Sequence, residues 1–201
     1  GTMTENSKGV REWFPIGYYY NITGNGAKED ISYNGTFDGQ NHTISGLYFN
    51  SETQGYVGLF GVIAENAFIQ NVGVIHSYIN CDNTGAASGT DVPVFAGGVC
   101  GYNNGGTISN CYNTGAVTGA GRDAFAGGVC GENYGTITNC YNTGDVSGTD
   151  KVGGVCGLNF GTITNCYYRK DTETYFGIGE IEADTAGETM AKTTEVFASG
   201  E

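Results

Sequence analysis

Residues 97–115 read GGVCGYNNGGTISNCYNTG, and this stretch decides the fold because the chain repeats it twice. Residues 127–144 read GGVCGENYGTITNCYNTG, and residues 153–168 read GGVCGLNFGTITNCYY. Each copy carries two cysteines, an isoleucine three positions before the second cysteine and an asparagine three positions after the first. Such repetition is typical of stacked units, each of which is too small to bury its own apolar face.

Two weaker copies precede these three, so the spacing predicts five units in all. They lie in TFDGQNHTISGL and in LFGVIAENAFIQNV. The first predicted column of equivalent residues contains Phe37, Phe60, Cys100, Cys130 and Cys156. The second column contains Leu47, Val72, Cys111, Cys140 and Cys166. The third column contains Ile44, Ile69, Ile108, Ile137 and Ile163.

The repeated segments GTIT and GGVC are short, β-branched and bounded by Gly and Asn turns, which is typical of strands. The glycine density excludes helices from the repeats. We therefore expect an all-β fold, a right-handed parallel β-helix (β-solenoid) of about five coils with N- and C-terminal caps, whose equivalent strands pair ~4.8 Å apart. The variable spacings predict insertions at one corner of the coils, at residues 75–95, 120–126 and 149–152.

Two spacings conflict with simple strand alternation. Ile108 and Cys111 are three residues apart, so strict alternation would place them on opposite faces of the sheet. Val99 and Cys100 are adjacent, although both are apolar. The sequence leaves two alternatives: the strand bends at Asn110, or one residue of each pair faces outward.

Four segments are expected along the chain. Residues 1–9 begin with the letters GTM, which resemble a cloning remnant, and we expect them to be disordered. Residues 10–32 are aromatic and are predicted to cap the first coil, because open strand edges invite aggregation. The solenoid is predicted over residues 33–170. Residues 171–201 are predicted to cap the other end, with a short helix from about Thr189.

Charge excludes two classes of partner. The chain has 201 residues and a net charge of −13, and Arg122 is the only basic residue between Glu29 and Asp150. Nucleic-acid binding and adhesion to an anionic membrane both need a Lys/Arg footprint, so we expect neither. No apolar run reaches the length that spans a bilayer, and we expect no membrane insertion by this fragment.

The string GGVCGxNxGTITNCYNTG resembles the GLUG motif, a glycine-rich repeat of bacterial surface proteins. GTFDGQNHTISGL followed by YVGLFGVI is similar to the usual opening of such regions, and the resemblance covers roughly residues 33–170. It implies a secreted or wall-attached bacterial protein, often adhesin-like, with further domains in the same chain. Similar repeats occur in the non-catalytic part of streptococcal immunoglobulin A metallopeptidases. The H-E-x-x-H helix of that activity has no counterpart here, where the only histidines are His42 and His76.

The seven cysteines leave two hypotheses open. The paired columns change type together, from Phe with Leu or Val to Cys with Cys, so in-coil disulfides such as Cys100–Cys111 are one hypothesis. The sequence favours the other, in which buried free thiols serve as small hydrophobic side chains, and Cys81 is left over in any pairing. Zinc binding and thiol catalysis are disfavoured, because neither CxxC nor nearby Cys/His spacing occurs. No cofactor or metal is expected.

Two further rows follow the repeat. Asparagines after the first cysteine column are predicted to form a turn ladder of Asn103, Asn133 and Asn159. Tyrosines follow the second column in a row, interrupted by Gly73, that contains Tyr48, Tyr112, Tyr141 and Tyr167. If exposed, these rings offer flat apolar area on which sugars can stack. The alternative is tyrosine stacking that only stabilises the coils.

A polysaccharide-active enzyme would need two carboxylates about 5–9 Å apart. The candidates are scattered along the chain: Asp38, Asp123, Asp145 and Asp150. We therefore expect a non-catalytic, extracellular adhesin-like or display module at the cell surface or wall, whose partner is a surface protein or a glycan of a host or neighbouring cell. A carbohydrate-binding module that uses the tyrosine row and a polysaccharide-active solenoid enzyme are the alternatives.

Overall fold

The computed structural model describes residues 2–4, 7, 9–21, 28–52, 55–84, 93–169, 176–181 and 187–192. Within these ranges the ordered elements are strands and turns. In chain order, the strands are β1 (Tyr18–Asn21), β2 (Lys28–Ile31), β3 (Thr36–Ser45), β4 (Tyr48–Ser51), β5 (Tyr56–Val57), β6 (Phe60–Ile63), β7 (Phe68–Ile75), β8 (Tyr78–Asp82), β9 (Val94–Gly97), β10 (Cys100–Asn103), β11 (Thr107–Ser109), β12 (Tyr112–Asn113), β13 (Ala116–Ala120), β14 (Ala124–Gly127), β15 (Cys130–Asn133), β16 (Thr136–Thr138), β17 (Tyr141–Asn142), β18 (Val146–Gly148), β19 (Lys151–Asn159), β20 (Thr162–Arg169), β21 (Phe176–Ile181) and β22 (Gly187–Lys192).

Nearly all of these strands lie in three parallel sheets that the chain visits in turn. The front sheet contains β5, β6, β9, β10, β14, β15, β19 and β21. The back sheet contains β3, β7, β11, β12, β16, β17, β20 and β22, and the side sheet contains β4, β8, β13 and β18. Strands β1 and β2 form a separate antiparallel hairpin. The predicted all-β solenoid of stacked parallel sheets is confirmed.

Strand pairing brings the equivalent residues of successive coils into register. Cys130 pairs with Cys100 on one side and Cys156 on the other, and Cys100 pairs with Phe60. In the back sheet Ile108 pairs with Ile69 and Ile137, which in turn pairs with Ile163. These are the pairings that the spacing predicts for the second to fifth units.

The first coil departs from the predicted columns at Phe37. This residue pairs with Ile69 in the back sheet, whereas the neighbour of Phe60 in the first column is Ile16. The β1–β2 hairpin is inserted directly after Ile16 and Gly17, and the coil resumes at Tyr33, which pairs with Ile63. The insertion separates Ile16 from the rest of its coil, so spacing alone assigned Phe37 to the wrong column.

Ile44 and Leu47 were also assigned to the wrong columns. Ile44 pairs with Val74, and the Leu47 N–H donates to Ser77 Oγ at 3.1 Å. The alignment placed Ile44 beside Ile69, but Phe37 occupies that position, so Ile44 lies five residues further along the back sheet than predicted. A register shift in β3 between Asp38 and His42, where Gln40 and Asn41 both have positive φ, changes the spacing again. This bulge adds two residues to the corner, which spacing cannot reveal.

The back-sheet strands bend at an asparagine on every coil from the second to the fifth. Asn71, Asn110, Asn139 and Asn165 have φ values of 55°, 53°, 53° and 50°. Asparagine tolerates this left-handed conformation better than most residues. Because the bend resets the alternation, Ile108 and Cys111 are both fully buried. The alternative in which the strand bends at Asn110 is therefore the correct one.

The glycine pair of GGVCG folds the front of each coil inward. In the fourth coil, a Cβ atom on Gly127 would lie 1.9 Å from Cys130 O, and one on Gly131 would lie 2.9 Å from Phe125 O. The two arms of this inward turn therefore pack directly on each other. At its tip, a Cβ atom on Gly128 would lie 2.2 Å from Cγ of Asn142, which belongs to the back sheet. The tip thus touches the opposite wall of the coil.

This contact divides the interior into two apolar cores. The larger core lies between the second arms of the inward turns and the back sheet, and it contains both cysteine columns and the isoleucine column. The smaller core lies between the first arms and the side sheet, and it includes Phe49, Val57, Ile79, Cys81, Ala96 and Val117. Val99 and Cys100 are both buried because the turn at this point lies inside the coil.

Buried asparagines fix neighbouring coils to one another. The Asn103 Nδ2 donates to Asn133 Oδ1 at 2.7 Å, and the Asn133 Nδ2 donates to Asn159 Oδ1 at 2.8 Å. The predicted turn ladder is therefore confirmed. A second ladder, which was not predicted, joins Asn113 Nδ2 to Asn142 Oδ1 at 2.9 Å. Both ladders are buried, and their amides also bond glycine backbone groups in their own turns.

The C-terminal segment extends the solenoid beyond residue 170. Strand β21 pairs in parallel with β19, and β22 pairs in parallel with β20, which adds a sixth coil. The predicted helix from Thr189 is wrong up to residue 192, because pairing with β20 overrides the local helix preference. Residues 193–201 lie outside the described residues.

The N-terminal segment covers the first coil. Trp13 and Ile16 pack against the larger core, and the Trp13 N–H donates to Tyr48 O at 2.6 Å. The Met3 N–H donates to His76 O at 2.9 Å, so the expectation of disorder is wrong at this residue. Residues 1, 5, 6 and 8 lie outside the described residues.

Replacement of Gly128 by Ala is expected to destabilise the fold by about 3 kcal/mol, because the new methyl group overlaps Asn142 at the tip of the inward turn. Urea unfolding measures the change. Gly35→Ala is the matched control, since the new Cβ atom would meet only the Tyr33 side chain, which can move. Equal stabilities of the two variants would contradict the contact between the turn and the back sheet.

Asn133→Ala is expected to lower the free energy of unfolding by about 2–4 kcal/mol, because it leaves buried amide groups of Asn103 and Asn159 without their ladder partner. Asn139→Gly removes an exposed amide ladder residue at a position of positive φ, which glycine adopts easily, and should change stability little. A comparable loss in both variants would show that burial of the ladder is not what stabilises the coils.

Candidate functional site

The predicted tyrosine row is a stack whose rings cover one another. Tyr141 pairs in register with Tyr112 and Tyr167 on the back sheet. The Tyr112 and Tyr141 ring centroids are 4.8 Å apart with planes within 1°. On its other side the Tyr112 ring covers Gly73, where a Cβ atom would lie 2.2 Å from the ring. Because sugars stack on ring faces, both faces of Tyr112 are unavailable to them.

Tyr48 does not belong to this row. It pairs with Tyr78 in the side sheet, where the two rings stack at 5.9 Å, and Thr43 takes the row position in the first coil. Ile44 and Tyr48 were misaligned by the same number of residues, since they pair with Val74 and Tyr78 in the second coil. Gly73 interrupts the row for a steric reason, because any side chain there would overlap the Tyr112 ring.

All seven cysteines are free and buried. The thiols in the larger core donate to backbone carbonyls of their own strands, as Cys130 Sγ does to Glu132 O at 3.1 Å and Cys140 Sγ to Thr138 O at 3.2 Å. Burial raises the pKa of the Cys156 thiol well above its usual value and the pKa of Cys81 to about 12. The structure therefore has the buried thiols that the sequence favoured, in place of in-coil disulfides.

The four candidate carboxylates of a polysaccharide-active enzyme lie in different environments. Asp38 accepts hydrogen bonds from Asn71 Nδ2 and Gln70 Nε2, each at 3.0 Å, and the bond from Asn71 contributes most to lowering its pKa. Asp145 pairs with Arg169. Asp150 lies 3.6 Å from the Lys151 ammonium, and Asp123 is exposed at a turn with positive φ. Among the described residues there is no group of three or more His, Cys, Asp or Glu side chains that could hold a metal ion.

An aromatic surface on the outer side of the front sheet was missed by sequence reasoning. We define it as the six residues Tyr56, Phe95, Tyr102, Phe125, Tyr134 and Phe160. One stack runs from Tyr56 to Phe95 to Phe125, with centroid distances of 4.9 and 5.3 Å. Tyr134 and Phe160 form a second stack at 4.5 Å, and Tyr102 contacts Phe95 and Tyr134 with tilted rings.

Half of the signal for this surface lies in the variable letters of the repeat, whereas Phe95 and Phe125 recur in the string FAGGVCG. In GGVCGxNxG the first variable position holds Tyr102, Glu132 or Leu158, and the second holds Asn104, Tyr134 or Phe160. An alignment that seeks recurring residues ignores these positions. The inward turn places them on the outer side of the front sheet, where Tyr134 is 45% exposed.

Glu132 lies within this aromatic surface and is only 7% exposed. It pairs in register with Tyr102 and Leu158, and its pKa is raised to about 7 by burial, against a hydrogen bond with Tyr134 that lowers it. Near neutral pH this carboxyl therefore exists in both protonation states. It can accept a hydrogen bond in either state and donate one when protonated.

The comparisons with known proteins identify the repeat. GLUG motifs match residues 96–118 and 126–147, so the chain carries GLUG motif repeats. Over 93 residues, 46% of this chain, it is 32% identical to a "Putative Gly-rich membrane protein" of Evansella cellulosilytica. That match spans only 9% of the relative's own length.

A solved structure has the same fold. The crystal structure of a "putative immunoglobulin A1 protease" from Bacteroides ovatus aligns with a TM-score of 0.52 and 20% identity, covering 96% of this chain and 76% of that one. This likeness supports the solenoid architecture alone. In the described residues, no helix has the length and apolar character needed to cross a membrane.

Glu132→Gln is expected to stabilise the protein at pH 8 by roughly 2 kcal/mol and to have little effect at pH 4. The folded-state pKa of Glu132 lies above the usual value of 4.5, so burial penalises the ionised carboxyl relative to the protonated one. The cost appears as the pH rises from 4.5 towards 7 and then levels off. Thermal unfolding of both proteins at the two pH values measures it.

The exposed Glu65 provides the control, since Glu65→Gln changes a carboxyl at the surface and should change stability at pH 8 by much less than Glu132→Gln does. A pH-independent effect of Glu132→Gln would contradict the burial of this carboxyl.

Proposed function

We propose that this chain is a non-catalytic, extracellular adhesin-like module at the surface of a bacterium, and that its aromatic surface contacts the partner. The GLUG repeats at residues 96–118 and 126–147 support the proposal, because the resemblance to this glycine-rich repeat implies a secreted or wall-attached bacterial protein. The name of the similar protein from Evansella cellulosilytica, "Putative Gly-rich membrane protein", agrees with a location at the cell envelope.

The observation that carries the proposal is a cluster of aromatic rings on a rigid scaffold. Tyr134 is 45% exposed at its surface, four further rings are half-buried, and Phe95 is buried. Tyr134 and Phe160 stand on turns held by the buried ladder from Asn133 to Asn159. Large aromatic side chains are enriched at protein interfaces, because they bury much area with few rotatable bonds. A surface held by ladder bonds loses little conformational entropy on binding, which favours affinity.

The tyrosine row is a weaker candidate for the contact surface. Its ring faces lie against one another and against Gly73, so it offers a partner mainly ring edges and hydroxyl groups. In the aromatic surface Tyr134 and Phe160 also stack face to face, but Tyr134 is 45% exposed, whereas the rings of the tyrosine row are half-buried. Tilted contacts of Tyr102 add rings in other orientations.

The test is adhesion of beads that carry the protein at equal density to epithelial cells and to bacterial cells. The wild-type protein should retain beads on at least one cell type. The double variant Tyr134→Ser/Phe160→Ser should reduce retention about tenfold, as expected for loss of a central aromatic contact worth about 1.4 kcal/mol. Tyr48→Ser/Tyr78→Ser removes a stacked pair from the side sheet and should retain beads normally.

Three outcomes would contradict the proposal. Retention that is unchanged by Tyr134→Ser/Phe160→Ser would exclude the aromatic surface as the contact. Absence of retention on every cell type would exclude the adhesin-like role. Release of reducing ends from a panel of polysaccharides would show an enzyme instead.

A further inference from the structure

A small cavity lies where the N-terminal segment crosses the side sheet. Its volume is about 190 Å³, and it is lined by Glu12, Trp13, Phe14, Phe49 and Ser51. Of the lining residues, Phe49 is buried in the smaller core, whereas Phe14 is 52% exposed. None of these five residues belongs to the aromatic surface.

The lining is fixed by hydrogen bonds to two neighbouring segments. The Trp13 backbone N–H donates to Tyr48 O at 2.6 Å, and its indole Nε1–H donates to Gly58 O at 3.2 Å. Glu12 Oε1 accepts the Asn50 N–H at 3.0 Å. Because the indole and the carboxylate are both held in the absence of a ligand, a molecule that enters the cavity pays little for ordering them.

The lining combines aromatic area with hydrogen-bonding groups. Trp13 and Phe14 supply aromatic rings, and Ser51 supplies a hydroxyl that both donates and accepts. A carboxylate has about four lone-pair sites, so Glu12 keeps acceptor capacity beyond its bond to Asn50. This pairing of apolar rings with polar groups matches a sugar ring, which has C–H faces and a rim of hydroxyls.

Size and charge narrow the class of sugar. Sites for drug-sized ligands measure roughly 300–1,000 Å³, so a cavity of about 190 Å³ is suited to one ring and not to a disaccharide. Among the described residues, the lining contains a carboxylate and no basic side chain, and the chain has a net charge of −13. A uronic or sialic acid would meet charge repulsion here, whereas a neutral hexose would not.

We propose that this cavity binds a single neutral hexopyranose, such as the end residue of a glycan, with Trp13 and Phe14 against the ring and Glu12 and Ser51 bonded to its hydroxyls. The site does not depend on the aromatic surface having its proposed role. An aliphatic ammonium is the competing ligand, since a carboxylate beside aromatic rings also attracts cations. A quaternary ammonium, the form of this ligand that the experiment uses, has no N–H or O–H group to donate to Glu12 or to bond with Ser51.

The experiment uses Trp13 as its own reporter, because it is the only tryptophan in the chain. Its fluorescence is followed while the whole chain is titrated with glucose, galactose, mannose and N-acetylglucosamine, and separately with glucuronate and with tetramethylammonium chloride. At least one neutral sugar should give a saturable change with a dissociation constant of roughly millimolar order. Glucuronate and tetramethylammonium should bind at least tenfold more weakly.

Two variants test the lining. Phe14→Ala removes an exposed ring and Glu12→Gln removes the charge, and each should weaken sugar binding about five- to tenfold. Phe176→Ala removes a ring that is 76% exposed on β21 and should bind as the wild type does. Circular dichroism and thermal unfolding establish that each variant is folded. Saturation-transfer NMR on the unmodified chain gives a readout that needs no variant.

Four outcomes would overturn the proposal. They are the absence of saturable binding by every neutral sugar in both fluorescence and NMR, tighter binding of tetramethylammonium, equal binding of glucuronate, and wild-type affinity in a folded Phe14→Ala variant. Each is independent of bead retention by Tyr134 and Phe160, so failure here is distinguishable from failure of the adhesin-like role.

Discussion

The contact between the inward turn and the back sheet is the constraint on which the rest of this structure depends. Gly128 touches Asn142 in the fourth coil, and Gly98 touches Asn113 in the third, where a Cβ atom would lie 2.4 Å from Cγ. Only glycine leaves room for this approach. The contact explains why the motif begins with two glycines and why an asparagine follows the tyrosine. It also explains why one coil has two cores, since the turn separates them.

Because the coils stack in register, equivalent residues of successive coils form rows along the molecule. The tips of successive turns bond to each other, as the Gly98 N–H does to Gly128 O and the Val99 N–H does to Val129 O. Cysteine fits the columns beside the tip of the turn because its side chain is small and apolar. Its thiol also donates a hydrogen bond to a nearby backbone carbonyl. The same stacking that orders the interior places Tyr134 and Phe160 in a fixed pair outside, which links the repeat to the proposed contact surface.

The fold was predictable from sequence because spacing and strand pairing follow the same period. Cys100 pairs with Cys130, and Ile108 pairs with Ile137, as the repeats predict. The first coil was not predictable, since a hairpin after Gly17 and a bulge at Gln40 change the number of residues between equivalent positions. Neither insertion has a composition that distinguishes it from the rest of the coil. The sequence did not predict the final coil, because its residues differ from the motif although its backbone still pairs with β20.

The candidate sites were less predictable than the fold. Recurring letters such as Tyr112 and Tyr141 suggested a binding row, but residues that recur in a stack cover one another's faces. Half of the aromatic surface, namely Tyr102, Tyr134 and Phe160, and the cavity near Trp13 instead use residues that vary between coils or lie before the repeats. Their proximity depends on the inward turn and on the path of the N-terminal segment, neither of which spacing can show.

The most direct test of this account is a nuclear Overhauser measurement between the Gly128 Hα protons and the side-chain amide protons of Asn142. The account predicts a strong signal, because a Cβ atom on Gly128 would lie 2.2 Å from both Cγ and Nδ2 of Asn142. It also predicts slow exchange of that buried amide with solvent. A folded protein that shows no such signal, together with rapid exchange of the Asn142 amide, would contradict the inward turn and the division into two cores.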